Sequence, residues 1–235
     1  MRQLWAIMCA SFVAISATLA GSAQAQTTTV VELYTSQGCS SCPPADAMLH
    51  DLAKNDDIIA LAFHVDYWDY IGWKDEFASP RYSERQRAYA RAAGARSVYT
   101  PQMVIGGKDH VIGTRPGDVK AHLANHFALP ERIAIDASLS GGRVQVRAEA
   151  LERLPNKVQV QIVTYRPTST VSIKRGENAG RTLNYANVVT SLTQADTWNG
   201  RGEFALQASL PGDDRAVVLF QAPDNGIILG AAHLR

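Results

Sequence analysis

Two cysteines, Cys39 and Cys42, separated by Ser40-Ser41, stand between a short apolar run and a pair of prolines, and few folds accommodate that order. Val30 to Tyr34 reads as a buried strand and Thr35-Ser36-Gln37-Gly38 as a turn. A helix is predicted from Cys39 onward. Pro43 and Pro44 fit its first turn, where amide hydrogens have no helical partner, and Ala45, Met48, Leu49 and Leu52 recur at helical spacing up to Asn55-Asp56-Asp57. A disulfide across C-x-x-C closes so short a loop that it restrains little of the unfolded chain. The pair is therefore suited to chemistry more than to stapling.

The start of the chain bears on which redox state is available. Arg2, an apolar run from Leu4 to Leu19 and small residues ending Ala23-Gln24-Ala25 read as a secretory leader over residues 1–25, with the protein periplasmic or secreted after cleavage. The run is short for a membrane span, and polar residues follow it, so no stable membrane insertion is expected of the mature chain. Cys9 leaves with the leader, so Cys39 and Cys42 are the mature chain's thiols, in a compartment that favours disulfides. With 23 Lys and Arg against 22 Asp and Glu, the charge balance gives no electrostatic case for nucleic acid as a partner.

Further along, Ile58 to Val65 is an apolar run of inner-strand character, broken only at His64. The aromatic and acidic stretch Asp66 to Phe77 is irregular. Ser79 as N-cap, Pro80 and Gly94 then bracket a helix with Tyr82, Gln86, Tyr89, Ala90 and Ala93 on one face and Arg81, Arg85, Arg87 and Arg91 on a solvated one. Thr100-Pro101 leads into a hairpin, Met103 to Ile105 and Val111-Ile112 around Gly106-Gly107, and Pro116 to Phe127 forms a closing helix.

After Leu129-Pro130 the texture changes to alternation, as in Arg143 to Arg147 and Lys157 to Ile162, with further strands at Thr170 to Ile173, Asn187 to Leu192, Glu203 to Leu210, Ala216 to Gln221 and Ile227 to Ala231. Half-exposed strands at this spacing predict a small β-rich, sandwich-like domain over residues 130–235. The expected division is thus a leader, an α/β domain over residues 26–129 with a helical insertion at 66–96, and the β-rich domain.

A thiol of ordinary pKa near 8.5 is only about 3% ionised at neutral pH, and a helix N-terminus favours the thiolate. Cys39 is therefore the expected nucleophile and Cys42, one turn deeper, the resolving thiol. The element order is similar to that of a thioredoxin domain. The run Glu32 to Ala45, then Phe63 to Asp69 with Gly72 to Asp75, Tyr99 to Gln102, Arg175 to Asn178 and Asn187 to Val189 resembles a bacterial secreted family known as domain of unknown function 1223. That resemblance implies an α/β thioredoxin-like domain, a cis Pro101 facing the cysteines, the backbone of Thr100 free to pair with substrate, and Thr100 Oγ1 near the Cys39 sulfur. It also implies a buried acid at about Glu32 that helps move the resolving thiol's proton, against the plainer reading of an exposed edge-strand glutamate.

Three function classes remain open from the sequence. One is a thiol:disulfide oxidoreductase exchanging with protein or small-molecule thiols and disulfides, without cofactor. Another is copper(I) held by Cys39, Cys42 and His64, since thiolates select soft ions. The third is a non-catalytic binding module. His64 and Asp66 tune Cys39, take part in that metal site, or are hydrogen-bonded at a strand end. The segment Arg175 to Arg181 docks against the first half or binds a ligand, and His122 and His126 share a helix face as exposed side chains.

Overall fold

The computed structural model describes residues 28–234, and the leader expected over residues 1–25 lies outside them. Among the described residues no helix is long and apolar enough to cross a membrane.

The chain runs β1 (Thr29–Thr35), α1 (Pro43–Leu52), β2 (Ile58–His64), α2 (Pro80–Ala92), β3 (Gln102–Ile105), β4 (Asp109–Ile112), α3 (Pro116–Phe127), β5 (Ile133–Ser140), β6 (Arg143–Ala150), β7 (Val158–Ser172), β8 (Thr182–Trp198), β9 (Glu203–Ser209), β10 (Arg215–Gln221) and β11 (Ile228–Leu234). One eight-stranded sheet has the order β11-β10-β7-β8-β2-β1-β3-β4, and β5-β6-β9 form a second sheet. β1 is parallel to β2 and antiparallel to β3, which pairs antiparallel with β4.

All seven residues of both β1 and β2 are buried, as strands covered on both faces require. Alternate residues face opposite ways. Val31 and Leu33 meet Ala45 and Leu49 of α1 and Val119 and Leu123 of α3. Val30 and Tyr34 meet Phe63 together with Tyr82 and Tyr89 of α2. β6 alternates exposed and buried, its Val144 and Val146 packing with Val158 and Val160 of β7, Phe204 of β9 and Phe220 of β10, so the second half has a core of its own between the two sheets.

The halves expected on either side of residue 130 nevertheless share a sheet. β8 lies parallel to β2 at Ala62 and Val188, and Asn187, at φ 47°, sends its side-chain amide to the Ala60 carbonyl (2.8 Å). Alternation reports which face of a strand is buried but not which edge it joins. The expected short strands at 157–162 and 170–173 are one, β7, continuing through Pro167. Proline interrupts a ladder only where its missing N–H is needed, and beyond Tyr165 β7 pairs with β8 but no longer with β10, so Pro167 stands on an edge. The resulting long hairpin carries its tip, residues 173–181, back to the cysteines.

A correction concerns α2, whose four arginines are not all solvated. Arg81, Arg87 and Arg91 are exposed, with Glu84 paired to Arg91 at 2.7 Å. Arg85 is buried, because its stripe of the helix also carries Tyr82 and Tyr89 onto the sheet.

Candidate functional site

The helix begins at Pro43, four residues later than the predicted start at Cys39, so Cys42 is its N-cap and Cys39 sits in the preceding turn. The Cys39 amide donates to the Ser36 carbonyl (3.1 Å) and the Cys42 amide to that of Cys39 (3.2 Å). The two prolines account for the difference: a helix from Cys39 needs the amides of residues 43 and 44 to donate to the carbonyls of Cys39 and Ser40, and neither proline has one. Cys39 and Cys42 form a disulfide with Cα atoms 5.4 Å apart. Cys39 is 3% exposed and Cys42 fully buried, while Ser40 and Ser41 face solvent.

Three other parts of the chain close around this turn. A side chain at Gly38 would meet Ile71 at 3.2 Å and the Trp68 carbonyl at 3.3 Å, so the aromatic stretch rests directly on the turn. Trp68 stacks with Tyr70, the latter 79% exposed, and Trp73 donates its indole N–H to Gln37 Oε1 (2.7 Å). The Thr100–Pro101 peptide bond is cis. Thr100 Oγ1 accepts from the Trp68 indole (2.8 Å), so this hydroxyl is tied to the aromatic stretch. Pro101 neighbours the first turn of α1: a Cβ on Gly113 would lie 2.9 Å from that of Ala45 and 3.2 Å from that of Pro101. Gly113→Ala should therefore force helix and proline apart and cost about 1–3 kcal/mol, read as a lower urea midpoint.

The third part is the β7–β8 tip. Asn178, buried, donates from Nδ2 to the carbonyls of Gln37 and Cys39, both at 2.9 Å. Glu177 Oε2 accepts from the Ser40 amide (3.3 Å). Gly176, at φ 79°, lies where a Cβ would stand 3.2 Å from that of Trp73. Of the two readings open for this segment, the contacts are those of docking against the first half.

Glu32 does not lie beneath the cysteines. It is on the α2 face of β1, and both carboxylate oxygens are engaged: Oε2 by Tyr34 (2.8 Å) and Arg85 Nε (2.8 Å), Oε1 by Tyr89 (2.7 Å) and Arg85 Nη2 (2.7 Å). Strand parity decides this, since Leu33, not Glu32, points toward α1. It is buried in full, neither an exposed edge glutamate nor a free proton acceptor.

The acids and the base on the α1 face are ones that sequence reasoning passed over or left undecided. Asp46, on α1 one turn beyond Cys42, accepts from Thr35 Oγ1 (2.8 Å) through one oxygen. Its other oxygen is buried without a hydrogen-bond partner, as are His64 Nε2 and the Tyr185 hydroxyl. Burial raises the Asp46 pKa to about 7, against the opposing pull of His64 and of the Thr35 bond. His64 pairs with Thr35 in register and holds Asp75 at 2.7 Å, both side chains fully buried. Burial opposes charge on His64, but the Asp75 carboxylate and its hydrogen bond prevail and the pKa is raised. Asp75 also accepts from the Gln37 amide (2.8 Å), joining this pair to the cysteine turn. Asp66 is occupied elsewhere, by Ser83. The spacing Cys42 to Asp46, i to i+4 on one helix, was a signal available for Asp46. Nothing comparable marked Asp75 or Asn178, which come from distant segments.

His122 and His126 both turn to Asp109, at 3.6 and 2.8 Å. Among the described residues no group of three or more His, Cys, Asp or Glu side chains converges as a metal site.

The site is thus a disulfide-bonded cysteine pair just before a helix whose first turn neighbours a cis proline, with a hairpin from the second half docked on the cysteine turn. The chain belongs to the family described as "Protein of unknown function (DUF1223)", whose model matches residues 30–221. Among solved structures it is similar to protein AGR_C_4864 of Agrobacterium tumefaciens, with 31% identity over 90% of this chain and 96% of that one and a TM-score of 0.76. Superoxide reductase from Nanoarchaeum equitans (10% identity, 44% of this chain and 89% of that one, TM-score 0.20) and a hypothetical protein from Pyrococcus horikoshii (9%, 44% and 87%, 0.22) share too little with it to carry an argument. No curated protein matches.

Proposed function

We propose that this is an exported, thioredoxin-like thiol:disulfide oxidoreductase that works through Cys39 and Cys42. The observation that carries the reading is the Cys39–Cys42 disulfide just before α1, whose first turn at Ala45 neighbours the cis Pro101. The strand order β2-β1-β3-β4 with α1 between the parallel pair supports the thioredoxin-like scaffold. The leader motif supports export, where such pairs are oxidised unless a reductant acts on them.

In the reducing direction, the Cys39 thiolate attacks one sulfur of a substrate disulfide, forming a mixed disulfide and releasing the other substrate sulfur as a thiolate. Cys42 gives its proton to Asp46, attacks Cys39 Sγ and releases the second substrate thiol. The substrate gains two electrons and the pair becomes the disulfide. A dithiol donor of the same chemical class restores it, and the reverse sequence oxidises substrate thiols. Asp46 suits the proton step because helical side chains lean toward the N-terminus, bringing its carboxyl toward Cys42 one turn away. A groove of about 460 Å³ lined by Pro43, Asp46, His50 and Arg181 runs past this turn of the helix, the carboxyl itself being buried.

Insulin reduction and oxidative refolding of a scrambled protein, each with Cys39→Ser alongside, test the reading. Exchange by the natural protein and its loss in the variant is the expected result. Equal rates for the two proteins would sink it.

A further inference from the structure

We infer that Glu177, at the tip of the β7–β8 hairpin, holds the cysteine couple toward its disulfide form, so that the dithiol is a stronger reductant than the bare turn would be; this rests on the thiol-exchange reading above. The argument begins with the amides around Cys39. A helix N-terminus ordinarily stabilises a neighbouring thiolate through free N–H groups and the helix dipole. Here Pro43 and Pro44 carry none. The amides of Ala45 (2.8 Å) and Asp46 (3.1 Å) donate to the Cys42 carbonyl, that of Cys42 to the Cys39 carbonyl, and that of Cys39 to the Ser36 carbonyl. The Ser40 amide is taken by Glu177 Oε2 at 3.3 Å. A developing Cys39 thiolate thus finds most of these amides already in use and meets Ser41, whose solvent-facing amide has no protein partner among the described residues and whose hydroxyl lies 3.4 Å from Cys39 Sγ.

Glu177 also brings charge. Its neighbour Asn178 is fastened to the carbonyls of Gln37 and Cys39, and Gly176 is wedged against Trp73 and Ile71, so the backbone on both sides of Glu177 is held at the turn, its solvent-facing carboxylate meeting the Ser40 amide there. The cations of the tip are Lys174 and Arg175, both exposed, and Arg181, which donates to Asn178 Oδ1 (2.9 Å), and Glu177 makes no ion pair with any of them among the described residues. The other titratable groups facing the turn are Asp46 from α1, His64 from β2 and Asp75 from the aromatic stretch, and none of them is on the hairpin.

The disulfide carries no charge and is indifferent to Glu177. Reduction adds two electrons and, with Cys42 protonated and Cys39 ionised, one proton, and the new anion lies beside a carboxylate. Like charges disfavour one another, which raises the Cys39 pKa and shifts the equilibrium toward the disulfide. The second half of the chain thereby sets the redox direction of a pair lodged in the first.

Glu177→Gln isolates the charge, since its amide oxygen can still accept from Ser40. Each protein is equilibrated with a small dithiol and its cyclic disulfide at pH 7, the reduced fraction is read by alkylation, and the Cys39 thiolate is titrated by ultraviolet absorbance. The variant should be reduced about 3–10-fold more readily, with the Cys39 pKa lower by about half to one unit. Glu177→Asp should stay close to the natural protein. The difference should shrink in 1 M salt, where the screening length is about 3 Å. Agreement of natural protein and Gln variant within twofold at low salt would overturn the inference, as would a difference that salt leaves unchanged, which would mark a change of geometry. A protein that equilibrates with the small dithiol but turns over no protein disulfide loses the oxidoreductase reading while still reporting on Glu177.

Discussion

Arg85→Ala should cost about 3–5 kcal/mol of folding stability, because removing one partner of a buried ion pair strands the other charge in the interior. Both side chains are essentially inaccessible. The guanidinium meets Glu32 two-fold, which is the fork geometry that favours arginine over lysine, so Arg85→Lys should recover only part of the loss. The network does not end there. Arg85 also reaches Gln221 Oε1 (3.1 Å) and Asn225 Oδ1 (3.2 Å), and Gln221 donates to the Tyr89 hydroxyl (2.8 Å). Those residues belong to the second half of the chain, so the loss should be felt across the shared sheet, as a lower midpoint in one cooperative urea transition. The double substitution Glu32→Gln with Arg85→Met should cost less than the sum of the singles, since it leaves no unpaired charge. Additive losses, or an Arg85→Ala protein within 1 kcal/mol of the natural one, would show the pair to be energetically slack.

What the sequence made legible, and what it hid, divides along local against long-range information. The strand at 30–34, the α2 boundaries set by Ser79 and Pro80, the β3–β4 hairpin around Gly106-Gly107 and α3 from Pro116 to Phe127 all follow from caps, turn residues and periodicity within a few positions. Cys39 and Cys42 were legible for the same reason. Glu32 was misplaced by one step of strand parity, since resemblance gives an approximate position but not a face. Arg85 looked solvated among other arginines, and only the packing of α2 on β1 shows which of the four points inward. The join of β2 to β8 and the docking of Asn178 on the cysteine turn link residues more than a hundred positions apart in the chain, and neither leaves a local pattern. Asp75 reaches His64 from an irregular stretch whose aromatic residues concealed it.

Asp46→Asn should make stability almost indifferent to pH in a range where the natural protein is sensitive. An aspartate in an unfolded chain titrates near 3.9, whereas burial lifts the folded Asp46 to about 7. With the folded value the higher one, its contribution is fully present below about pH 4 and is lost as the pH rises through 7, where the carboxyl ionises while still buried. A separation of about three units corresponds to at most about 4 kcal/mol. His64 acts in the same sense, its raised pKa giving stability that fades as the pH passes the folded value. Its Asp75 partner remains in the Asn variant, and a smaller residual slope near neutrality is therefore expected. Urea unfolding at pH 4 and pH 8 should show the natural oxidised protein losing several kcal/mol more than the variant between the two. Parallel losses would mean that Asp46 is not held protonated. The same substitution separates stability from chemistry in the reduced protein: alkylation of Cys39 should be unchanged, while release of a mixed disulfide by Cys42 should slow about 100-fold or more, since a positioned proton acceptor is ordinarily worth about 10²–10⁴-fold. Asp46→Glu, which restores a carboxyl, should recover part of that rate, whereas a merely structural role would leave the release step and its pH profile untouched in all three proteins.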